Sequence, residues 1–156
     1  MDEVMVTGYA AGIYLKQLNF DKKVRRPNET AALEHTRTSP KTSLKLKIDR
    51  LQVYIFGSTG IAEEFKLLNI DHTGIGPDPL PHDLGDFTRI ELDPAVEAVV
   101  LGFDYTISYP KLIRCCSYGK RVRPELFIAT NLDETLPTTH SHLCVPGTGA
   151  VVSIIR

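Results

Sequence analysis

Apolar residues Val4, Tyr9, Ala10, Ile13, Tyr14 and Leu18 recur at close to helical spacing, which predicts a helix over 4–18 with one buried face, ending before "NFDKK". The pattern then lapses. "RRPNETAALEHTRTSPKTSLKLKIDR" has two prolines, a cluster of Thr and Ser around the second, and no sustained period. Such a stretch reads as loop or disorder, and it is long for a loop inside a compact domain. Order returns at "VYIFGSTGIAEEF", a short apolar run, a glycine turn and an amphipathic opening. It predicts a strand over 53–56 and a helix over 59–68, with Ser58 or Thr59 at its cap. A short extended piece at 70–74 leads into the Pro/Gly/Asp-rich loop "GIGPDPLPHDLGDF".

The second half is more regular. "AVEAVVLGF" is a continuous apolar run of the kind that parallel sheets bury on both faces, and "ELFIATN" is another. Between them "SYPKLIRCCSYG" predicts a helix of about three turns with Leu112, Cys115 and Cys116 inward. "GTGAVVSII" opens a last helix that reaches Arg156 without Gly, Pro or a cap, so the sequence reads as though it stops inside an element. Strands alternating with helices imply βαβ units and an α/β fold.

Composition narrows the function. In 156 residues, 42% hydrophobic content suffices for a real core, and 18 Lys+Arg against 19 Asp+Glu give a net charge of −1. That balance argues against nucleic acid or an anionic membrane as partner. Nine of the cations lie between Lys22 and Arg50, facing three acidic residues. The three cysteines, Cys115, Cys116 and Cys144, form neither a disulfide framework nor a C-x-x-C pair, and the N-terminus lacks the basic region of a signal peptide. A cytoplasmic chain with reduced thiols is the expectation.

Candidate chemistry is sparse. A Gly-rich turn before a helix can hold a phosphate on free N–H groups, but Gly57 and Gly60 make neither G-x-G-x-x-G nor a P-loop. Asp104, after the run "VVLGF", stands where phosphoaspartyl enzymes carry their nucleophile, yet the second Asp and the Gly-Thr turn of hhhDxDGT are absent. It reads instead as a loop or helix-capping residue. His140, His142 and Cys144 are spaced poorly for tetrahedral zinc and read as a surface loop. Asp78, Asp83 and Asp86 lack the spacing of a calcium loop and read as a solvated turn.

Five stretches in order, "VYIFGSTGIAEEF", "GIGPDP", "AVVLGFDYTISYPKL", "LFIATNLDETLP" and "VPGTGAVVSII", resemble the haloacid-dehalogenase-type phosphatases of the 4-nitrophenylphosphatase, phosphoglycolate and pyridoxal phosphate phosphatase group. The resemblance runs from Tyr54 to Arg156, and the segment before "FDKKV" also resembles the family. It implies a Rossmann-like α/β cap domain over 54–156, preceded by a hinge helix over 1–24 and a disordered insertion over 25–53. The alternative for 25–53 is a basic loop for RNA or acidic partners, though it lacks aromatic interleaving.

The resemblance further implies a fragment of a phosphatase for small phosphate monoesters, with Mg2+ in the full-length family. The cap would provide substrate selection, while the nucleophilic and metal-binding motifs lie outside these residues. No catalytic or metal-binding residue is therefore assigned, and no cofactor is expected on this chain. The residues expected to face substrate are Asn131 and Asp133, with Pro146, Gly147, Thr148 and Gly149 near the returning hinge. They have a plainer alternative: turn capping for Asn131 and Asp133, relief of backbone strain for the glycines. The alternative function is a non-catalytic binding module, or a homodimer formed through the cap.

Overall fold

Four parallel strands carry the fold in the computed structural model, which describes residues 2–18, 51–78 and 87–155. Helix α1 (Asp2–Gln17) precedes strand β1 (Gln52–Phe56), helix α2 (Thr59–Leu67) and strand β2 (His72–Thr73). Strand β3 (Val96–Leu101), helix α3 (Tyr109–Arg121) and strand β4 (Phe127–Ala129) follow. A hairpin of β5 (Thr135–Leu136) and β6 (Val145–Pro146) leads to helix α4 (Thr148–Ile155). The sheet order is β2-β1-β3-β4, with Val53 opposite His72 and Tyr54 opposite Val99.

The strands form where the sequence is apolar without interruption, because helices cover both faces of the central pair. Val53, Ile55, Phe56, Val99, Val100 and Leu101 have no exposed surface. Helix α1 packs on α2, and α3 packs on β1 and β3. Helix α2 ends with Asn69 at φ 53°, where the Ile70 N–H donates to Phe65 O at 2.9 Å. A short polar side chain tolerates this left-handed closure, which satisfies the last carbonyls of the helix.

Three expectations change. Helix α1 buries Gly8, Ala11, Gly12 and Leu15, where the small glycines let α2 pack close, and leaves Tyr9, Ala10 and Tyr14 of the expected face exposed. Helix α3 turns Lys111, Cys115 and Tyr118 inward, while Leu112 is only partly buried and Cys116 partly exposed. Hydrophobicity had favoured Leu112 and Cys116; the buried face is instead set by Lys111, whose ammonium finds acceptors in the interior. The segment 25–53 is mostly outside the described residues, as are 19–24, but Gln52 and Val53 belong to β1.

Candidate functional site

Parallel strands bring their following loops to one edge of the sheet, and in α/β sheets ligands bind there, where the strand order reverses. Here the reversal lies between β1 and β3. It is closed by hydrocarbon: the Gly102 N–H donates to Phe56 O at 2.8 Å, and Ile61, with no exposed surface, lies against both glycines. A Cβ on Gly57 would stand 2.8 Å from Ile61 Cδ1. Packing against Ile61 thus accounts for Gly57 without a phosphate. Ser58 takes the cap position of α2, but its hydroxyl makes no capping bond.

Asp104, on the loop after β3, is 3% exposed, and both carboxylate oxygens are in use. Oδ1 accepts from the Thr106 N–H and from Thr106 Oγ1, each at 2.7 Å. Oδ2 is paired with Lys111 Nζ, which also donates to Gly76 O at 2.8 Å and Thr106 Oγ1 at 3.1 Å. This is a buried clamp joining the loops after β2 and β3. The loop placement expected for Asp104 is what the structure has; the capping role is not, since Ser108 caps α3 by accepting the Lys111 N–H. Sequence reasoning passed over Lys111; its signal was a lysine on the same helical stripe as Cys115 and Tyr118.

On the α3 side an open cleft of about 290 Å³ lies between the loop 73–78, Arg114, Glu91 and Asp93. Tyr54 and Tyr118 line it, their rings 4.9 Å apart. Arg114 Nε donates to Asp78 Oδ2 at 2.9 Å and Nη1 to Glu91 O, so Asp78 is a half-buried ion-pair partner and not a freely solvated turn residue. Asp83 and Asp86 lie outside the described residues. Burial pushes the Tyr54 phenol above its ordinary range and the Cys115 thiol up to about 12, with Cys116 adding to the latter. Nearby, Tyr105, Ile107, Tyr109 and Phe87 are exposed, with the Phe87 and Tyr109 rings 5.4 Å apart. This apolar row was also overlooked, although its alternation shows in "FDYTISY".

The six residues expected to face substrate come together from two stretches. The β5–β6 ladder pairs Thr135 with Pro146, and beyond it the Gly147 N–H donates to Glu134 O and the Gly149 N–H to Asp133 O, each at 2.8 Å. Asp133 and Pro146 are exposed, whereas Gly147, Thr148 and Gly149 are buried. Thr148 Oγ1 has no hydrogen-bond partner among the described residues. Asn131 Oδ1 accepts the Asp133 N–H at 3.3 Å, so its side chain serves the turn it stands on. Strain relief does not explain Gly147 and Gly149: the glycines with positive φ among the described residues are Gly74 and Gly76.

His140, His142 and Cys144 are exposed, the two rings 5.8 Å apart. Among the described residues no three His, Cys, Asp or Glu side chains gather around a common metal position, and Asp104 is already engaged. The described residues do not fit a magnesium ion. No helix among them is long and apolar enough to cross a membrane.

No family model matches the chain. It is 36% identical over 104 residues to glycerol-3-phosphate phosphatase of Gallus gallus, covering 66% of this chain and 33% of that protein. It is 36% identical over 118 residues to 4-nitrophenylphosphatase of Schizosaccharomyces pombe, covering 73% and 38%. A variant of the thermostable p-nitrophenylphosphatase from Bacillus stearothermophilus superposes with a TM-score of 0.57 at 18% identity, over 96% of this chain and 38% of that one. This last likeness is one of fold. The chain thus spans about a third of the length of the curated relatives it matches.

Proposed function

The chain is a relative of the haloacid-dehalogenase-like phosphatases, and from that kinship we propose that it forms the substrate-selecting cap of such an enzyme, acting on small phosphate monoesters. Phosphoryl transfer needs a nucleophile, a cation and positioned donors together. In this reading the remainder of such an enzyme supplies the nucleophile and the magnesium, and the cap supplies choice of substrate and exclusion of water.

The observation that carries the reading is the meeting of 131–134 with 147–149 beyond the C-terminal ends of the strands. A titration of the isotope-labelled chain with 4-nitrophenyl phosphate, 2-phosphoglycolate and glycerol 3-phosphate, followed by NMR, tests it. Resonances of 131–134 are expected to move with saturation; movement confined to other residues, or none, overturns the cap role. The chain alone is expected to leave 4-nitrophenyl phosphate with magnesium unhydrolysed. Hydrolysis that survives purification and disappears in an Asp104→Asn variant that keeps its fold by circular dichroism would give the chemistry back to Asp104.

A second reading, a non-catalytic binding or dimerisation module, is favoured by the exposed row Tyr105, Ile107 and Tyr109. Light scattering separates the two: a dimer that ignores all three esters supports the module.

A further inference from the structure

Gly147 and Gly149 lie where two backbones meet, and we propose that both are positioning residues: they set the place of the turn 131–134 without touching a ligand themselves. The proposal rests on the cap reading for its consequence, ligand choice, but not for its geometry.

A Cβ on Gly147 would stand 2.3 Å from Asp133 O, and one on Gly149 would stand 2.2 Å from Leu132 O. These obstacles are main-chain carbonyls, which cannot swing aside as the end of a long side chain can. Any side chain at either position must therefore displace the turn itself. Neither glycine has a positive φ, so other residues could adopt the local conformation. The close approach alone demands glycine. The contact also solves a problem for α4, whose first N–H groups have no partner within the helix. Asp133 O takes the Gly149 N–H, so a carbonyl from the turn works as the helix's cap.

Few other ties hold this turn. The Thr130 N–H donates to Leu101 O at 2.8 Å before it, and the two-residue β5–β6 ladder holds the chain after it. Between these points Leu132, Asp133 and Glu134 all present exposed side chains. The two glycine N–H bonds fix where those side chains stand relative to α4. Gly60 makes the contrast: a Cβ there meets nothing nearer than Ser58 Oγ at 3.8 Å, so an alanine fits without displacing backbone.

The test compares Gly147→Ala and Gly149→Ala with two controls. Gly60→Ala controls for loss of a glycine, and Val152→Ala, at a buried α4 position, controls for loss of stability. Without ligand, amide resonances of Leu132, Asp133 and Glu134 are expected to move in both glycine variants and stay in place in both controls. With 2-phosphoglycolate, the midpoint of the titration at those amides is expected to rise at least tenfold in Gly149→Ala and to hold within twofold in Val152→Ala. Unmoved turn resonances in the glycine variants, or equal movement in Val152→Ala, overturn the proposal. If the unsubstituted chain shows no ester-dependent shift but the glycine variants still move the turn, the cap reading fails and the positioning role stands. Should neither glycine variant fold, hydrogen exchange on the unsubstituted chain decides: the Gly147 and Gly149 amides are expected to exchange far more slowly than those of 138–142, and equal exchange overturns the proposal.

Discussion

A lysine with no exposed surface is tolerated at position 111 because its ammonium reaches Asp104 Oδ2, Gly76 O and Thr106 Oγ1 at once, above the Phe56 ring. Removing one partner of such a pair leaves the other charge buried alone, which costs about 3–5 kcal/mol. Lys111→Met is therefore expected to lower stability by about that much in urea denaturation, and adding Asp104→Asn is expected to recover most of it. A double variant no more stable than Lys111→Met alone would assign the loss to packing. Cys115 makes a second prediction. Its thiol is raised from 9.0 to about 12 by burial, so the folded state holds a proton that the unfolded state releases. The stability it contributes is complete below pH 9 and is lost as pH rises toward 12. The slope reaches about 1.4 kcal/mol per pH unit for one group. Cys115→Ala should flatten that part of a stability–pH profile, leaving the alkaline decline due to Tyr54. The inward position of Cys115 was legible in the sequence. Lys111 was not, because a residue-by-residue hydrophobicity sends every lysine to solvent, and the oxygens that hold it come from the loop just before α3, at Asp104 and Thr106, and from Gly76 on another loop.

Helix α1 meets α2 across Gly8 and Gly12, one turn apart on α1. A Cβ on Gly8 would lie 3.3 Å from Ile61 Cα, and one on Gly12 2.4 Å from Leu68 Cδ1. Missing side chains let the helix axes approach. Gly12→Val is expected to destabilise by about 1–3 kcal/mol through overpacking, read as a lowered thermal midpoint; an unchanged midpoint would show that Leu68 can turn away freely. The elements themselves were largely readable. β1, β3 and β4 announce themselves as apolar runs, and α2 and α3 by their period; α1 forms where expected but buries Gly8, Ala11, Gly12 and Leu15, because glycines that a hydrophobicity pattern ignores make the contact with α2. β5 and β6 were not readable, since a two-residue ladder has no repeat to detect. Resemblance singled out Asn131, Asp133 and 146–149; their meeting, backbone against backbone, came from the structure.

At the scale of the molecule, the central ladder joins β1 to β3, although α2 and β2 intervene in the chain. The ladder cannot close until the chain from Phe56 to Val96 has looped back. Loop closure of this kind delays the reward of pairing, and parallel sheets accordingly form more slowly than helical bundles. During that interval the stretch Val53, Tyr54, Ile55 and Phe56, wholly enclosed in the finished fold, has one side of its backbone unpaired and its side chains in water. Four such residues in a row, with high strand preference and no charge, are the makings of intermolecular pairing. The same run that makes the core legible is thus the part of the chain most open to pairing with another copy until β3 arrives.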